Sequence, residues 1–379
     1  MLKADWVVVG AGLTGSVLAE RLASQTGASV VVVERRRHIA GNAYDRYDES
    51  GLLVHEYGPH IFHTNSPEVW NYLSQFTDWR PYEHRVLASV EGRLAPLPFN
   101  LNSLATLWPP RAAARLESRL CRQFGLGARV SVLRLLEHPD GEIRRFGQYV
   151  YENVFENYTR KQWGLSPLEL DPSVVSRVPV LISRDDRYFQ DAYQAMPRHG
   201  YTAMVGRMLA TPGIRLLLGA DFRDLLEECR GIPWIFTGAL DELLQARYGA
   251  LPYRSLRFRF ETLQADFAQP VAQVNYPGSG EYTRITEFKH LTGQRAACTT
   301  LASEFPAEHL PGTTEPFYPV PREANRTLHR KYAEAAAELY PQAFFAGRLA
   351  DYKYYNMDQA VARALALFAS IASGRRKAA

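Results

Sequence analysis

A nine-residue stretch, ENYTRKQWG at 156–164, brings aromatic rings, cations and hydrogen-bonding groups close together. Arg160 and Lys161 stand between Tyr158 and Trp163, a mixture that neither a hydrophobic core nor an ordinary helix surface favours. Aromatic rings suit a planar ligand, because stacking on a ring face is favourable whatever the polar edge of the ligand does. The stretch therefore predicts a site for a flat ring, although a loop whose Tyr and Trp merely cover the core would contain the same residues.

A glycine motif near the start of the chain predicts a second kind of site, for the pyrophosphate of a dinucleotide. The segment WVVVGAGLTGSVLAERLA has the pattern of a buried strand, a glycine turn and a helix, with Gly10, Gly12 and Gly15 spaced as G-x-G-x-x-G. In such a turn the backbone approaches the phosphates, which lie at the N-terminus of the helix. A second apolar strand, 30–33, is followed by Glu34, nineteen residues after Gly15, where an acid would bind the ribose hydroxyls. With this context the motif predicts dinucleotide binding rather than a chance turn.

The residues after Glu34 favour FAD over NAD. They read RRRHIAGNAYD, and the turn at 40–42 resembles the second glycine turn of flavoproteins, with Ala-Gly in place of the usual double glycine. A later fragment, FFAGRLADYKYYNMDQAVARAL, predicts a short strand ending at Gly347-Arg348 and a helix from about Asp358. The N-terminus of that helix could face the pyrimidine part of a flavin, where its dipole would stabilise the anion of the reduced ring. A capped terminal helix without that role would show the same pattern.

Strand and helix patterns predict an α/β protein: a Rossmann-like FAD-binding domain with an inserted helical domain and an antiparallel β-sheet substrate domain. The FAD-binding domain is discontinuous and comprises 1–66, 196–250 and 336–379. The insertion, 67–195, is mainly helical with a small hairpin near 85–98, and 251–335 forms the antiparallel sheet. The strands assigned to the FAD-binding domain are 5–10, 29–34, 52–57, 214–218 and 233–237, together with the segment from 344.

The composition is typical of a cytosolic enzyme. The chain of 379 residues has a net charge of +4, which is too slight to require a nucleic-acid partner. Its three cysteines are far apart and form no CxxC pair, which argues against disulfides and a zinc site. No apolar run approaches the roughly 20 residues of a membrane span, and the start MLKADWVVVGAG does not have the pattern of a signal peptide. We therefore expect a cytoplasmic protein with no nucleic-acid partner and no membrane insertion.

Ten fragments, taken together, resemble the bacterial UDP-galactopyranose mutase family. They follow the family's order over nearly the whole chain, and the combination of YGPHIFHT, YTRKQWG and TRITEFKH is highly specific. The other fragments are GAGLTG, ERRRHIAGNAYD, SRVPV, DDRYF, MPRHGYTAM, PFYPVP and GRLADYKYYNMD. The family interconverts UDP-galactopyranose and UDP-galactofuranose without net redox change. The resemblance thus implies an isomerase in which N5 of reduced FAD attacks the anomeric carbon as UDP leaves, and which supplies galactofuranose for cell-surface glycans.

The same resemblance implies which residues bind the substrate. Phe155 and Tyr158 line the uridine pocket, and Arg177 and Arg284 bind the diphosphate, to which the bidentate donors of Arg are suited. The family places Arg177 on a mobile lid and His63 near the reactive edge of the flavin, so Arg177, Arg284 and His63 are the implied catalytic residues. The other implied substrate residues are His84, Val154, Thr159, Trp163, Tyr188, Asn275, Tyr318, Tyr354 and Asn356.

The resemblance also implies a set of FAD contacts, several of them in the motifs described above. These residues are Gly10, Gly12, Leu13, Thr14, Gly15, Glu34, Arg35, Gly41, Asn42, His60, Ile61, Phe222, Gly347, Arg348, Tyr355, Asn356, Met357 and Asp358. His60 and His63 stand three apart, but no third ligand cluster accompanies them, so we expect no metal. The implied reductant is NAD(P)H or a cellular equivalent, and the implied assembly is a homodimer.

Two positions depart from the family pattern, and two other functions stay open. Asn356 stands where the family often has Asp, and His84 stands where Asn is common; both bear on contacts to the sugar. The glycine motif alone also fits an FAD-dependent oxidoreductase of the amine-oxidase type, or a non-catalytic protein that binds a UDP-sugar or a flavin. Oxygen consumption with amines would identify the oxidase, and a turnover assay on reduced protein would separate an enzyme from a binding protein.

Overall fold

The structure is a computed structural model, and it describes residues 3–171 and 178–374. Its strands in chain order are β1 (Trp6–Val9), β2 (Val30–Glu34), β3 (Asp45–Tyr47), β4 (Leu53–His55), β5 (Phe62–Thr64), β6 (Trp79–Pro81), β7 (Val86–Val90), β8 (Arg93–Leu97), β9 (Arg129–Val130), β10 (Val180–Leu181), β11 (Tyr193–Pro197), β12 (Ile214–Leu218), β13 (Trp234–Phe236), β14 (Tyr253–Leu263), β15 (Gln273–Asn275), β16 (Arg284–Glu287), β17 (Thr299–Glu308), β18 (Tyr318–Pro319) and β19 (Ala343–Phe345). Its α-helices are α1 (Leu13–Thr26), α2 (Pro67–Leu73), α3 (Leu101–Leu107), α4 (Pro110–Phe124), α5 (Val132–Leu136), α6 (Gly141–Val150), α7 (Asn157–Trp163), α8 (Gly200–Leu209), α9 (Phe222–Leu225), α10 (Leu240–Leu243), α11 (Phe288–Thr292), α12 (Glu323–Leu339) and α13 (Met357–Ala372).

A five-stranded parallel sheet, in the order β12-β2-β1-β13-β19, forms the Rossmann-like part of the molecule. Successive side chains of a strand point to opposite faces. Val8 and Val32 accordingly enter a core shared with α1, α8 and α13, while Val7 and Val31 enter a core shared with α10 and α12. Apolar strands covered by helices on both faces are the α/β arrangement that the sequence predicts, and this part of the predicted fold class is confirmed.

A seven-stranded sheet, in the order β18-β14-β17-β16-β15-β7-β8, forms the second large layer. Its neighbours are antiparallel except for β15 and β7, which are parallel. On β14, Leu256 is buried and Arg257 and Arg259 are exposed, as the alternating sequence predicts. The predicted antiparallel sheet is therefore present, and its strands β15 and β16 carry Asn275 and Arg284.

The helical insertion covers one end of this sheet. Buried residues of α3, α4 and α6 share a core with the buried residues of β7 and β8. The hairpin predicted near 85–98 is present as β7 and β8, but its strands are the last two of the seven-stranded sheet rather than a separate unit. The predicted domain boundaries stay a prediction.

One predicted strand lies outside the parallel sheet. The stretch 52–57 was assigned to the FAD-binding domain, and its strand β4 pairs antiparallel with β3 in a separate two-stranded sheet. The predicted strand is present, but the apolar run did not indicate its pairing partner, because such a run indicates only that a strand is buried. By contrast, the expected strand near 344 is β19, at one edge of the parallel sheet.

Candidate functional site

The glycine turn joins β1 to α1 in a conformation that excludes side chains. Gly10 has a φ of +101°, in the region that favours glycine. A Cβ at Gly15 would overlap the carbonyl oxygen of Gly10, so α1 can pack this closely against the turn only because Gly15 has no side chain. The first N–H groups of α1 lack partners within the helix, which makes its N-terminus a favourable place for a phosphate.

Glu34 is fixed at the end of β2 by two backbone hydrogen bonds. Its Oε2 accepts from the N–H of Ala11 and its Oε1 accepts from the N–H of Arg36, both at 2.8 Å. The carboxylate is buried beside the glycine turn. Its remaining lone pairs can accept hydrogen bonds from the hydroxyls of a ribose.

These elements border a cleft of about 240 Å³ at the carboxyl ends of β1, β2 and β13, where α/β sheets bind ligands. The narrow turn, the fixed acid and the helix N-terminus fit a dinucleotide. The predicted cofactor residues that line the cleft are Gly10, Gly12, Leu13, Thr14, Gly15, Glu34, Arg35, Gly41, Asn42, His60, Phe222, Gly347, Arg348 and Met357.

Four predicted cofactor residues lie beside the cleft rather than in its wall. Ile61 packs against the core that contains α1, and the Asp358 carboxylate accepts from the Thr64 hydroxyl at 3.0 Å. The Tyr355 carbonyl accepts from Arg348 at 2.9 Å, which holds that Arg against the cleft. Asn356 is the N-cap of α13, and its N–H donates to Gln359 Oε1 at 2.9 Å. These contacts place the start of α13, one residue before the predicted start, at the cleft.

His60 lines the cleft as a neutral ring. Its Nδ1 lies 2.8 Å from the carbonyl oxygen of Gly58, which can only accept, so Nδ1 carries the proton and Nε2 is an acceptor. Its backbone N–H donates to Nδ1 of His55 at 3.0 Å. Burial lowers the pKa of His60 to about 3 and that of His55 to about 4, so both rings are neutral near pH 7.

A second cavity, of about 120 Å³, lies between the helical insertion and the seven-stranded sheet. The aromatic stretch of the sequence forms one wall of it, through a π-helical turn at Tyr151–Glu156 and α7. Trp163 also packs against Leu170 and Val320, so this residue both covers a core and lines a cavity. The predicted substrate residues that line the cavity are Val154, Phe155, Tyr158, Thr159, Trp163, Tyr188, Asn275 and Arg284.

Arg284 is held in the cavity wall by a buried carboxylate. Its Nε donates to Glu304 Oε2 at 2.8 Å, and the Glu304 side chain is only 2% exposed. The two residues face each other in the register of β16 and β17. Burial alone would lower the pKa of Arg284, but the charge of Glu304 outweighs it and raises that pKa well above its ordinary value. The guanidinium is therefore a permanent cation in a fixed position.

His63 and His84 lie next to each other without lining either cavity. His63 Nδ1 lies 2.9 Å from Asp191 Oδ2, and its ring stacks on Phe189 at a centroid distance of 3.6 Å. The His84 ring also packs on Phe189, at 6.0 Å, and on Tyr188, at 5.8 Å. Both histidines therefore contact the segment 188–191, of which Tyr188 lines the second cavity.

Three aromatic residues connect the two cavities. The Tyr354 ring lies 4.9 Å from that of Tyr318 and 6.1 Å from that of Trp163, which lines the second cavity. On the other side, the guanidinium of Arg348, which lines the first cleft, lies 5.9 Å from the Tyr354 ring. A ligand in the second cavity and a cofactor in the first would therefore be neighbours.

Arg177, the other predicted diphosphate ligand, lies outside the described residues. From the sequence, Glu304, Asp191 and Gln273 were not predicted as site residues, and Lys161 and Gln162, within the aromatic stretch, were assigned no role. Gln162 and Gln273 line the second cavity, and Lys161 Nζ lies within 3.0 Å of four carbonyl oxygens of the loop between β15 and β16, among which its three N–H groups are shared. The carbonyls belong to Tyr276, Gly278, Gly280 and Tyr282. Only the alternation of β15, which puts Gln273 and Asn275 on one face, was a signal in the sequence.

Over 3–171 and 178–374, no three His, Cys, Asp or Glu side chains are grouped so that they could hold a metal ion. Within the same part of the chain, no helix combines the length and the apolar character that crossing a bilayer requires.

Comparisons with known proteins relate this arrangement to one family. Residues 153–354 match the family model for UDP-galactopyranose mutase, and residues 8–76 match that for an NAD(P)-binding Rossmann-like domain. The chain is 36% identical to the probable UDP-galactopyranose mutase of Klebsiella pneumoniae, over 95% of this chain and 92% of that protein. It is 31% identical to the dTDP-fucopyranose mutase of Escherichia coli, over 95% of this chain and 96% of that protein. A crystal structure of reduced UDP-galactopyranose mutase has a similar fold, with a TM-score of 0.72 at 17% identity, over 100% of this chain and 95% of that one.

Proposed function

This chain belongs to the UDP-galactopyranose mutase family and is an isomerase, and we propose that it interconverts UDP-galactopyranose and UDP-galactofuranose. The observation that carries the proposal is the aromatic-walled cavity, in which Glu304 fixes the position of Arg284. Tyr354 connects this cavity to the dinucleotide cleft. A nucleotide sugar has a flat base for the aromatic wall and a diphosphate for the cation. Its sugar can then extend toward the cleft.

We propose FAD as the resident cofactor. The glycine turn would hold its pyrophosphate, Glu34 its ribose, and the segment from Gly347 to α13 would border its flavin ring. Bound and reduced, FAD would supply a nucleophilic nitrogen for the anomeric carbon of the sugar. We propose NAD(P)H or a cellular equivalent as the reductant.

The protein's own residues would bind and orient the substrate. Phe155 and Tyr158 would hold the base by stacking, and Arg284 would neutralise the diphosphate while the bond to the sugar breaks. Arg177 would assist Arg284, as the family resemblance implies. His63, whose orientation is fixed by Asp191, would act near the reacting carbon.

A second candidate substrate belongs to the same reaction class. The dTDP-fucopyranose mutase of Escherichia coli is nearly as similar to this chain as the Klebsiella protein is. That nucleotide sugar differs by a methyl group on the base, by a deoxyribose, and by loss of the sugar's 6-hydroxyl. Stacking on an aromatic wall does not distinguish the two bases, so the two substrates must be compared directly.

The test is chromatography of products from dithionite-reduced protein given UDP-galactofuranose or dTDP-fucofuranose. We expect conversion of the UDP-sugar to its pyranose form and a slower reaction of the dTDP-sugar. Faster conversion of the dTDP-sugar would reassign the substrate within the family. No conversion of either sugar, combined with oxygen consumption in the presence of amines, would favour an oxidoreductase instead.

Assembly and cellular role are also proposals. We propose a cytoplasmic homodimer whose product supplies galactofuranose for cell-surface glycans, as the family resemblance implies. Cross-linking and size-exclusion chromatography would test the dimer.

A further inference from the structure

Two side chains of α7 hold the loop between β15 and β16, residues 276–283. Lys161 Nζ lies within 3.0 Å of four carbonyl oxygens of this loop, and its ammonium has three N–H groups to share among them. Asn157, one turn earlier on α7, donates from Nδ2 to the carbonyls of Pro277 and Gly278, both at 2.7 Å. The loop is therefore bonded to α7 along most of its length.

The loop has little structure of its own. The ladder between β15 and β16 ends at the pair Asn275 and Arg284, and residues 277–282 belong to neither a strand nor a helix. Gly278 and Gly280 lie within this stretch, and glycine restricts the backbone least. Such a loop keeps one conformation only if its backbone groups bond to something outside it. Here that partner is α7.

The side chains of α7 are divided between the cavity and the loop. Tyr158, Thr159 and Trp163 line the second cavity. Asn157 and Lys161 are four residues apart, so they lie on one edge of the helix, and that edge faces the loop. Lys161 is not part of the cavity wall, and its N–H groups are engaged by carbonyls. It therefore does not serve as a direct ligand for a phosphate.

The position of the loop matters inside the cavity because Pro277 and Asn275 line it. The helix that holds them is itself anchored, since Arg254 of β14 donates to the Gln162 carbonyl at 3.0 Å. Arg284, at the other end of the loop, is fixed separately by its ion pair with a buried carboxylate of β17. Loss of the bonds to α7 would thus release one part of the cavity wall and leave the guanidinium in place.

We propose that Lys161, assisted by Asn157, is a positioning residue for nucleotide binding. It fastens the loop to α7, so that Pro277 and Asn275 form a fixed part of the cavity wall before the ligand arrives. This inference rests on the proposed function, because it takes a nucleotide sugar as the occupant of the cavity. A wall that is ordered beforehand spares the ligand the cost of ordering it. Lys161 therefore acts on affinity and not on the bond-breaking step.

The first test compares UDP affinity and steady-state kinetics in FAD-loaded, dithionite-reduced protein. We expect Lys161→Met to weaken UDP binding and to raise KM for UDP-galactofuranose about ten-fold, within the range for hydrogen bonds to a charged group. Its kcat should stay within about two-fold, because the binding that is lost is shared by ground state and transition state. Asn157→Ala should act in the same direction by a smaller factor, and it keeps the test decisive if Lys161→Met does not fold.

The matched control is Arg160→Met, which removes the same charge from the next residue. The Arg160 side chain is 56% exposed and pairs at the surface with Glu156. Its loss should leave UDP affinity and KM within about two-fold, as surface substitutions usually do. An equal loss of UDP affinity in Arg160→Met and Lys161→Met would assign the effect to general charge attraction and overturn the proposal.

Amide hydrogen exchange shows whether the loop carries the effect. In Lys161→Met, peptides that cover 276–283 should exchange about ten-fold faster than in the unaltered protein, while peptides from β17 keep their rate. Weaker UDP binding without faster exchange of the loop would make Lys161 a direct ligand and overturn the proposal. A lower kcat at unchanged KM would indicate general damage and overturn it too, as would UDP affinities near that of the unaltered protein in both Lys161→Met and Asn157→Ala. Failure of the unaltered protein to bind UDP would overturn the proposed function instead.

Discussion

Arg284 is a cation whose position depends on one carboxylate of the neighbouring strand. We expect Arg284→Ala to retain FAD and to lose turnover by about thirty-fold to several thousand-fold, because removing a charged partner from a desolvated phosphate costs about 2–5 kcal/mol. Arg284→Lys should rescue only part of the rate, since Lys lacks the planar fork. The measurement is the rate of sugar interconversion by reduced protein with matched FAD content.

The matched control for this prediction is Arg259→Ala. Arg259 also lies on a strand of the seven-stranded sheet, but it is exposed. Its loss should leave the rate within about two-fold, as surface substitutions usually do. A near-normal rate in Arg284→Ala would remove Arg284 from the reaction, whatever its position in the cavity.

The partner of Arg284 shows what the sequence could not predict at the level of single residues. The family resemblance singled out Arg284, but from the sequence alone an Arg on a strand is most simply a solvated residue. Glu304 is twenty positions away, and it faces Arg284 only because β16 and β17 pair in one register. A shift of one residue would turn Glu304 to the other face, so no local pattern could reveal the ion pair.

The close contact between α1 and the glycine turn allows a test of cofactor binding. Gly15→Ala places a methyl group against the Gly10 carbonyl, so α1 must move away from the turn. We expect purified Gly15→Ala protein to carry little flavin, measured as flavin absorbance per chain.

Gly206→Ala is the control, because a Cβ there meets only Ile39 Cδ1 at an ordinary 3.7 Å. That variant should keep its flavin and gain up to about 1 kcal/mol of stability from the better helix propensity of Ala. Full flavin content in Gly15→Ala would show that the turn tolerates the methyl group.

At the level of elements, the sequence predicted the local units better than their assembly. β1, the glycine turn, α1 and β2 were predictable because strand, turn and helix follow one another within about thirty residues and each has its own signal. The stretch 52–57 was predicted as a strand without a pairing partner, since its pairing with β3 depends on a nearby hairpin and not on its apolar residues. The hairpin near 85–98 was predicted, but its parallel pairing with β15 joins residues almost 190 positions apart.

At the scale of the whole molecule, three neutral histidines make stability sensitive to mild acid: His55 and His84, which are buried, and His60, which is half-buried in the cleft wall. The folded-state pKa values of His55, His60 and His84 are about 4, 3 and 3, whereas an unfolded chain takes up these protons near pH 6.5. Because the folded pKa values are depressed, the free energy of unfolding is unaffected above about pH 6.5 and falls as the pH decreases below it. At pH 5.5 each histidine contributes a loss of about 1.4 kcal/mol, or about 4 kcal/mol together.

Urea unfolding of FAD-loaded protein at pH 7.5 and pH 5.5 measures this loss. In His84→Gln the loss between the two pH values should shrink by about a third, because one of the three titrating groups is gone. An unfolding free energy that is equal at both pH values in the unaltered protein would show that these rings are not held neutral in the folded protein.

The parallel sheet also has a consequence for synthesis on the ribosome. β1 lies between β2 and β13, so residue 7 pairs with residue 234, and α1 packs against α13, at 357–372. During translation β1 cannot pair with β13 until more than two hundred further residues have been synthesised. The apolar face of α1 stays exposed for longer, until α13 has been synthesised and can pack against it. Such non-local pairing is slow and leaves apolar surface exposed in the meantime. A nascent chain interrupted before α13 would therefore be a target for chaperones and proteases, and the flavin could act as a ligand that traps the fold only once that last helix has docked.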